Sequence, residues 1–214
     1  MRLPLAAPRV GRVLAAAAIL AAATAVLPPV GSESRRLLWV EGLQFVLLAA
    51  VVPALTALSL PAGWRPLHRG RGWLTSVAVL EVAVIVAWRV PSAVDGIAGH
   101  PWLVLVEGAC LLAAGTALWS TLLAGAPLSE GSPPYPSRMA IAAVVMWSVW
   151  VLAYLVGFSH ATWYRAYTGS SGLSVRADQQ LTTGVLWAGA ALAFIPVIFW
   201  CLWEWLSPEK ATPA

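Results

Sequence analysis

The chain has 214 residues, of which 60% are hydrophobic and only 10% charged, while a soluble domain carries about a quarter charged residues; this composition excludes an ordinary water-soluble globule. The net charge of +4 is scattered over several loops and forms no basic cluster that would grip nucleic acid. Nucleophile elbow, HExxH, phosphate-loop and dinucleotide signatures are absent, so no catalysis is expected.

Apolar runs separated by short charged segments predict an all-α, polytopic helical bundle of about six transmembrane helices, forming one integral membrane domain over residues 1–214. Arg2, Arg9 and Arg12 precede the first run, 13–30, a pattern shared by a first membrane helix and a signal peptide; its length favours a retained helix. The second run, 37–60, carries Glu41 and Gln44, ends at Pro61, and leads into the most basic loop, with Arg65, His68, Arg69 and Arg71. The third, 72–90, has Glu81 near its middle and Arg89, Pro91 and Asp95 at its far end; the fourth, 102–124, follows Gly99-His100-Pro101 and holds Glu107.

Residues 125–137 are rich in Pro, Gly and Ser and read as a surface loop. The fifth run, 138–159, is followed by the longest polar segment, with Trp163, Tyr164 and Tyr167. That segment delivers the chain to Asp178-Gln179-Gln180 and the sixth run, 179–205. Most of the thirteen Trp fall near run ends, where indoles favour the membrane interface. Trp147 and Trp150 are interior to their run instead.

Lys and Arg asymmetry sets the expected orientation. With both termini inside, the inner segments hold Arg2, Arg9, Arg12, Arg65, Arg69, Arg71, Arg138 and Lys210, against Arg35, Arg36, Arg89, Arg165 and Arg176 outside. An N-in/C-in topology starts the second, fourth and sixth helices at the outer face. Measured from there at about 1.5 Å per residue, Asp178 is at the surface, Glu41, Gln44 and Glu107 share a layer just below, and Glu81 lies near the midplane.

A charged acid at the centre of a membrane helix costs about 2.5–3.5 kcal/mol, so intramembrane carboxylates mark a functional site. The functional polar layer is therefore expected at Asp178, Gln179, Gln180, Gln44, Glu107 and Glu81. The plain alternatives are a protonated Glu donating to a neighbouring helix and an Asp that caps its own helix. Glu107, Glu41 and His100 are weak candidates for metal ligation. Cys110 and Met146 are isolated soft donors, and no close Cys, Met or His pair makes a persuasive copper site.

The motifs resemble the CtaG-type cytochrome c oxidase assembly factors. That family shows DQQ, a small or apolar residue, a Gly and an apolar run into Trp; Asp178-Gln179-Gln180-Leu181, Gly184 and Trp187 match, and Thr182 and Thr183 depart. A family His-x-x-Gln-His resembles Glu41-Gly42-Leu43-Gln44-Phe45, a Trp-His-x-Pro resembles Trp88-Arg89-Val90-Pro91, and a His-x-x-Glu-His resembles Val104-Leu105-Val106-Glu107-Gly108. Gln44 and Glu107 are kept while each family histidine is replaced.

The resemblance implies a protein of the bacterial cytoplasmic (inner) membrane that assists assembly of a haem-copper oxidase. Its partners would be oxidase subunits and the lipid bilayer. Copper is the cofactor possible by resemblance, its binding reduced or lost with the histidines. A small proton- or cation-coupled transporter working through Glu81 and Glu107, or a structural membrane subunit, are the alternatives.

Overall fold

A computed structural model describes residues 8–60, 71–123, 134–169 and 172–207. Arg2, the loop with Arg65, His68 and Arg69, residues 125–133 of the Pro/Gly/Ser segment, and Lys210 lie outside the described residues. Helices are α1 (Pro8–Val26), the single turn α2 (Val30–Glu33), α3 (Leu38–Ser59), α4 (Arg71–Arg89), α5 (Pro91–Gly99), α6 (Leu103–Leu122), α7 (Tyr135–Phe158) and α8 (Val175–Leu206).

Six stretches, α1 running on through α2, then α3, α4, α6, α7 and α8, are long and apolar enough to cross a membrane. Each coincides with a predicted run. Their outward sides remain apolar, with Leu20, Phe158, Leu192, Phe199 and Trp203 exposed, the pattern of helices surrounded by hydrocarbon. Two of the boundaries that differ from expectation bear on the packing. Residues 91–99 form a short helix because Pro91, with Val90 extended before it, ends α4 and starts α5. Helix α7 begins at Tyr135, which places Arg138 inside the helix and buried.

Helix α3 is the hub. Its first half packs on α8, and its second half on α1 and α6, while α4 lies against α6 and α7. Between the halves, Leu47–Val51 form a π-helical turn in which the Val52 N–H bonds to the Leu47 carbonyl. Pro53 follows directly; it brings no N–H to the ladder, and the wider turn absorbs the break. Gly115 on α6 admits the proline ring, since a Cβ there would lie 2.7 Å from it.

Small residues also close the α3–α8 and α7–α8 seams. A Cβ on Gly42 would come 2.9 Å from the Thr182 methyl, and one on Gly157 would clash with Thr183. Further along the second seam, Trp150 and Trp187 stack at 5.3 Å and each indole N–H donates to the other's carbonyl at 3.2 Å. This satisfies both indoles within the apolar zone, where an unpaired donor is expensive. These close approaches bring the starts of α3 and α8, the end of α4 and the start of α6 together at one end of the bundle.

Candidate functional site

At that end, the first polar group is the carboxylate of Asp178. It lies one turn into α8, whose own N-cap is Ser174, with the hydroxyl accepting from Ala177 N at 3.2 Å. Asp178 is therefore free to cap another helix: Oδ2 accepts from Leu38 N at 2.8 Å and Oδ1 from Trp39 N at 2.9 Å. The residue at the N-cap of α3 is Leu37, which has no side-chain acceptor. A carboxylate supplied by α8 takes its place and opposes the positive end of the α3 dipole. Asp178 is 1% exposed.

The two glutamines part company. Gln179 is buried and ties the segment after α7 to the bundle: Nε2 donates to Val156 O at 2.7 Å and Ala161 O at 3.3 Å, and Oε1 accepts from Trp163 N at 3.1 Å. Gln180 is exposed and does not belong to the polar layer. One residue of helix turns a side chain by roughly 100°, so the inward set is Asp178, Gln179 and Thr182, and Gln180 points away.

The segment held by Gln179 covers the site as a strap. Tyr167 donates to Ser34 O at 3.0 Å and Tyr164 to Arg89 O at 3.2 Å, and Asp95 of α5 accepts from Arg165 N and Ala166 N at 3.2 and 2.9 Å. Gly169 and Gly172, with φ of +84° and +93°, turn the strap back toward α8. Both tyrosines pack with Leu38, Val94 and Val156 in a small core. Burial pushes both tyrosine pKa values up, which keeps their hydroxyls as neutral donors. Gln179→Ala should free the strap, and limited proteolysis between residues 159 and 174 should run at least about tenfold faster, as expected when about 1.4 kcal/mol of closing energy is lost; an unchanged rate would show that the tyrosines suffice.

Beneath the strap is a buried ion pair. Arg89 Nη1 donates to Glu41 Oε1 at 2.7 Å and Oε2 at 2.5 Å, with side-chain exposures of 0% and 2%. The guanidinium also lies 4.9 Å from the Phe45 ring centroid and 5.7 Å from that of Tyr164. Among the described residues its Nε and Nη2 have no hydrogen-bond partner, nor does Oε1 of Glu107. Glu107 lies within Coulombic range of both Glu41 and Arg89 but forms no ion pair with Arg89 among the described residues. Gln44 completes the layer by donating to Ala25 O at 2.6 Å.

The other expected members lie elsewhere. Glu81 is buried, lining an apolar cavity of about 20 Å³ with Phe45, Ala49, Ala50 and Phe194, and its Oε2 has no hydrogen-bond partner among the described residues. His100 is exposed at the end of α5. Among the described residues, no three His, Cys, Asp or Glu side chains are grouped to hold a metal ion, and Cys110 and Cys201 are both free thiols.

The central residue missed by sequence reasoning is Arg89, read there as a topology charge. The available signal was its place in the Trp-x-x-Pro motif, opposite an acid in the same half of the membrane. Glu41 and Phe45, which the resemblance sets against histidines together with Arg89, both meet the guanidinium.

A family model described as cytochrome c oxidase caa3 assembly factor (Caa3_CtaG) matches residues 2–207. None of the curated proteins and none of the solved structures matches the chain. With the match covering nearly the whole length and all six apolar helices, the chain belongs to the cytochrome c oxidase caa3 assembly factor family.

Proposed function

We propose that this protein assists maturation of a haem-copper cytochrome c oxidase by docking oxidase subunits at the outer face of a bacterial cytoplasmic membrane, with copper binding reduced or lost. Family membership supports the oxidase link. The charge asymmetry of the loops supports an N-in/C-in orientation, which turns the strap and Asp178 outward. The observation that carries the loss of copper is the Glu41–Arg89 pair: a buried guanidinium already neutralises the carboxylate and lies against Phe45 and Tyr164. Copper(I) favours thiolate and thioether donors, and imidazole suits copper generally; two carboxylates beside a fixed positive charge do not fit it.

Docking then depends on the shape of the strapped end, which is held by Asp178, Gln179 and the two tyrosines. Deletion of the gene should lower haem-copper oxidase activity in membranes, and the wild-type chain, purified without stoichiometric copper, should restore it. Full oxidase activity in the deletion strain would refute the assembly role. Stoichiometric copper lost on Glu41→Gln would refute the metal-free site.

One observation favours a second reading, proton or cation coupling: the unpartnered Glu81 oxygen in its cavity. A pH-dependent flux in proteoliposomes, abolished by Glu81→Gln, would support it. The single acid in an otherwise apolar lining supports it less than the strapped end supports docking.

A further inference from the structure

A cavity of about 310 Å³ opens at the same end of the bundle, between the α1–α2 turn, α3 and the start of α6. Its lining includes Ser32, Arg35, Gln44, Trp102, Val104 and Leu105. Two polar groups there are uncommitted. Arg35 is exposed and has no acceptor among the described residues, whereas its neighbour Arg36 faces Glu33 at 3.8 Å. Gln44 is 2% exposed; its Nε2 is used on Ala25 O, and its Oε1 accepts no hydrogen bond from the described residues.

We propose that this cavity binds the headgroup of an anionic glycerophospholipid, with the phosphate on Arg35 and a headgroup hydroxyl donating to Gln44 Oε1. The charge match selects the ligand: a cation at the rim and a neutral acceptor on the floor, each without a partner among the described residues, call for an anion that also carries a hydroxyl donor. Size decides how it enters. A volume near the lower end for ligand pockets takes a polar head and its first carbons, not a two-chain lipid. The chains stay outside along Leu105 and Trp102, each 60% exposed. Position agrees, since the rim lies at the ends of two membrane-spanning helices, with an exposed indole of the kind that favours the interface.

The full-length chain in detergent, equilibrated with phosphatidylglycerol, phosphatidylcholine or free glycerol phosphate, tests this by native mass spectrometry. Retention of a single phosphatidylglycerol in preference to phosphatidylcholine is expected. Arg35→Gln, an exposed change that leaves the fold intact, should weaken retention by about fivefold or more, the worth of one basic residue near a membrane surface. Arg36→Gln should leave the preference unchanged, and free glycerol phosphate should bind far more weakly than the lipid. Equal retention of the two lipids, an equal loss in Arg36→Gln, or free glycerol phosphate binding as tightly as the lipid would each overturn the proposal.

Discussion

Arg89→Met should be the most damaging single substitution at the site, lowering stability by about 3–5 kcal/mol, the range for leaving one member of a buried ion pair without its partner. The variant strands Glu41 in a low-dielectric layer with Glu107 nearby, two carboxyl groups with no cation between them. Glu41→Gln should be milder, because the glutamine amide oxygen still accepts a hydrogen bond from the guanidinium. The double variant Glu41→Gln/Arg89→Met removes both charges and should recover at least half of the single Arg89→Met loss. Thermal unfolding of the four proteins in one detergent measures the cycle. Losses that simply add, or an Arg89→Met midpoint equal to wild type, would show that the pair is not energetically coupled.

The second large effect is expected at Asp178. Asp178→Ala leaves Leu38 N and Trp39 N without acceptors at the start of α3 and removes a charge that opposes the helix dipole, a loss of about 3 kcal/mol. Asp178→Asn keeps one oxygen acceptor and should lose about half as much. Gln180→Ala, at an exposed position, should change nothing beyond about 0.5 kcal/mol. Thermal unfolding ranks the three, and recovery of oxidase activity in a deletion strain should follow the same order. If Gln180→Ala abolished recovery at unchanged stability, the exposed glutamine would be a direct partner contact and the docking surface would extend past the strap.

These effects rest on features that differ in how far they could be read from the chain. The six spans were legible because a run of about 20 apolar residues has few other uses, and each predicted run overlaps a long helix. That Glu41 and Glu107 lie within electrostatic range of each other fits an estimate made from rise per residue alone. Which way a side chain points was not legible. Asp178, Gln179 and Gln180 looked like one motif, yet two turn inward and one outward, because helical neighbours diverge around the axis.

Partners across the chain were also hidden. Asp178 was expected either to face the layer freely or to cap its own helix; it caps one that begins 140 residues earlier. Arg89 was counted as a topology charge because positive residues at span ends usually play that part. Only the folded bundle brings Arg89 onto Glu41, 48 residues away. The departures from the family motif were visible as single replacements. That Glu41 and Phe45 both meet the Arg89 guanidinium is a tertiary fact.

The π turn of α3 has a consequence for the phase of the whole helix. A residue inserted into a regular helix rotates everything before it by roughly 100° relative to everything after it. The first half of α3 therefore aims Glu41 at Arg89 while the second half still seats Pro53 against Gly115. Excising one aliphatic residue from Leu47–Val51 would restore an even winding and swing the acid out of alignment with its counter-charge. The alignment of the charged pair thus depends on a count of residues, none of them polar, in the stretch below it.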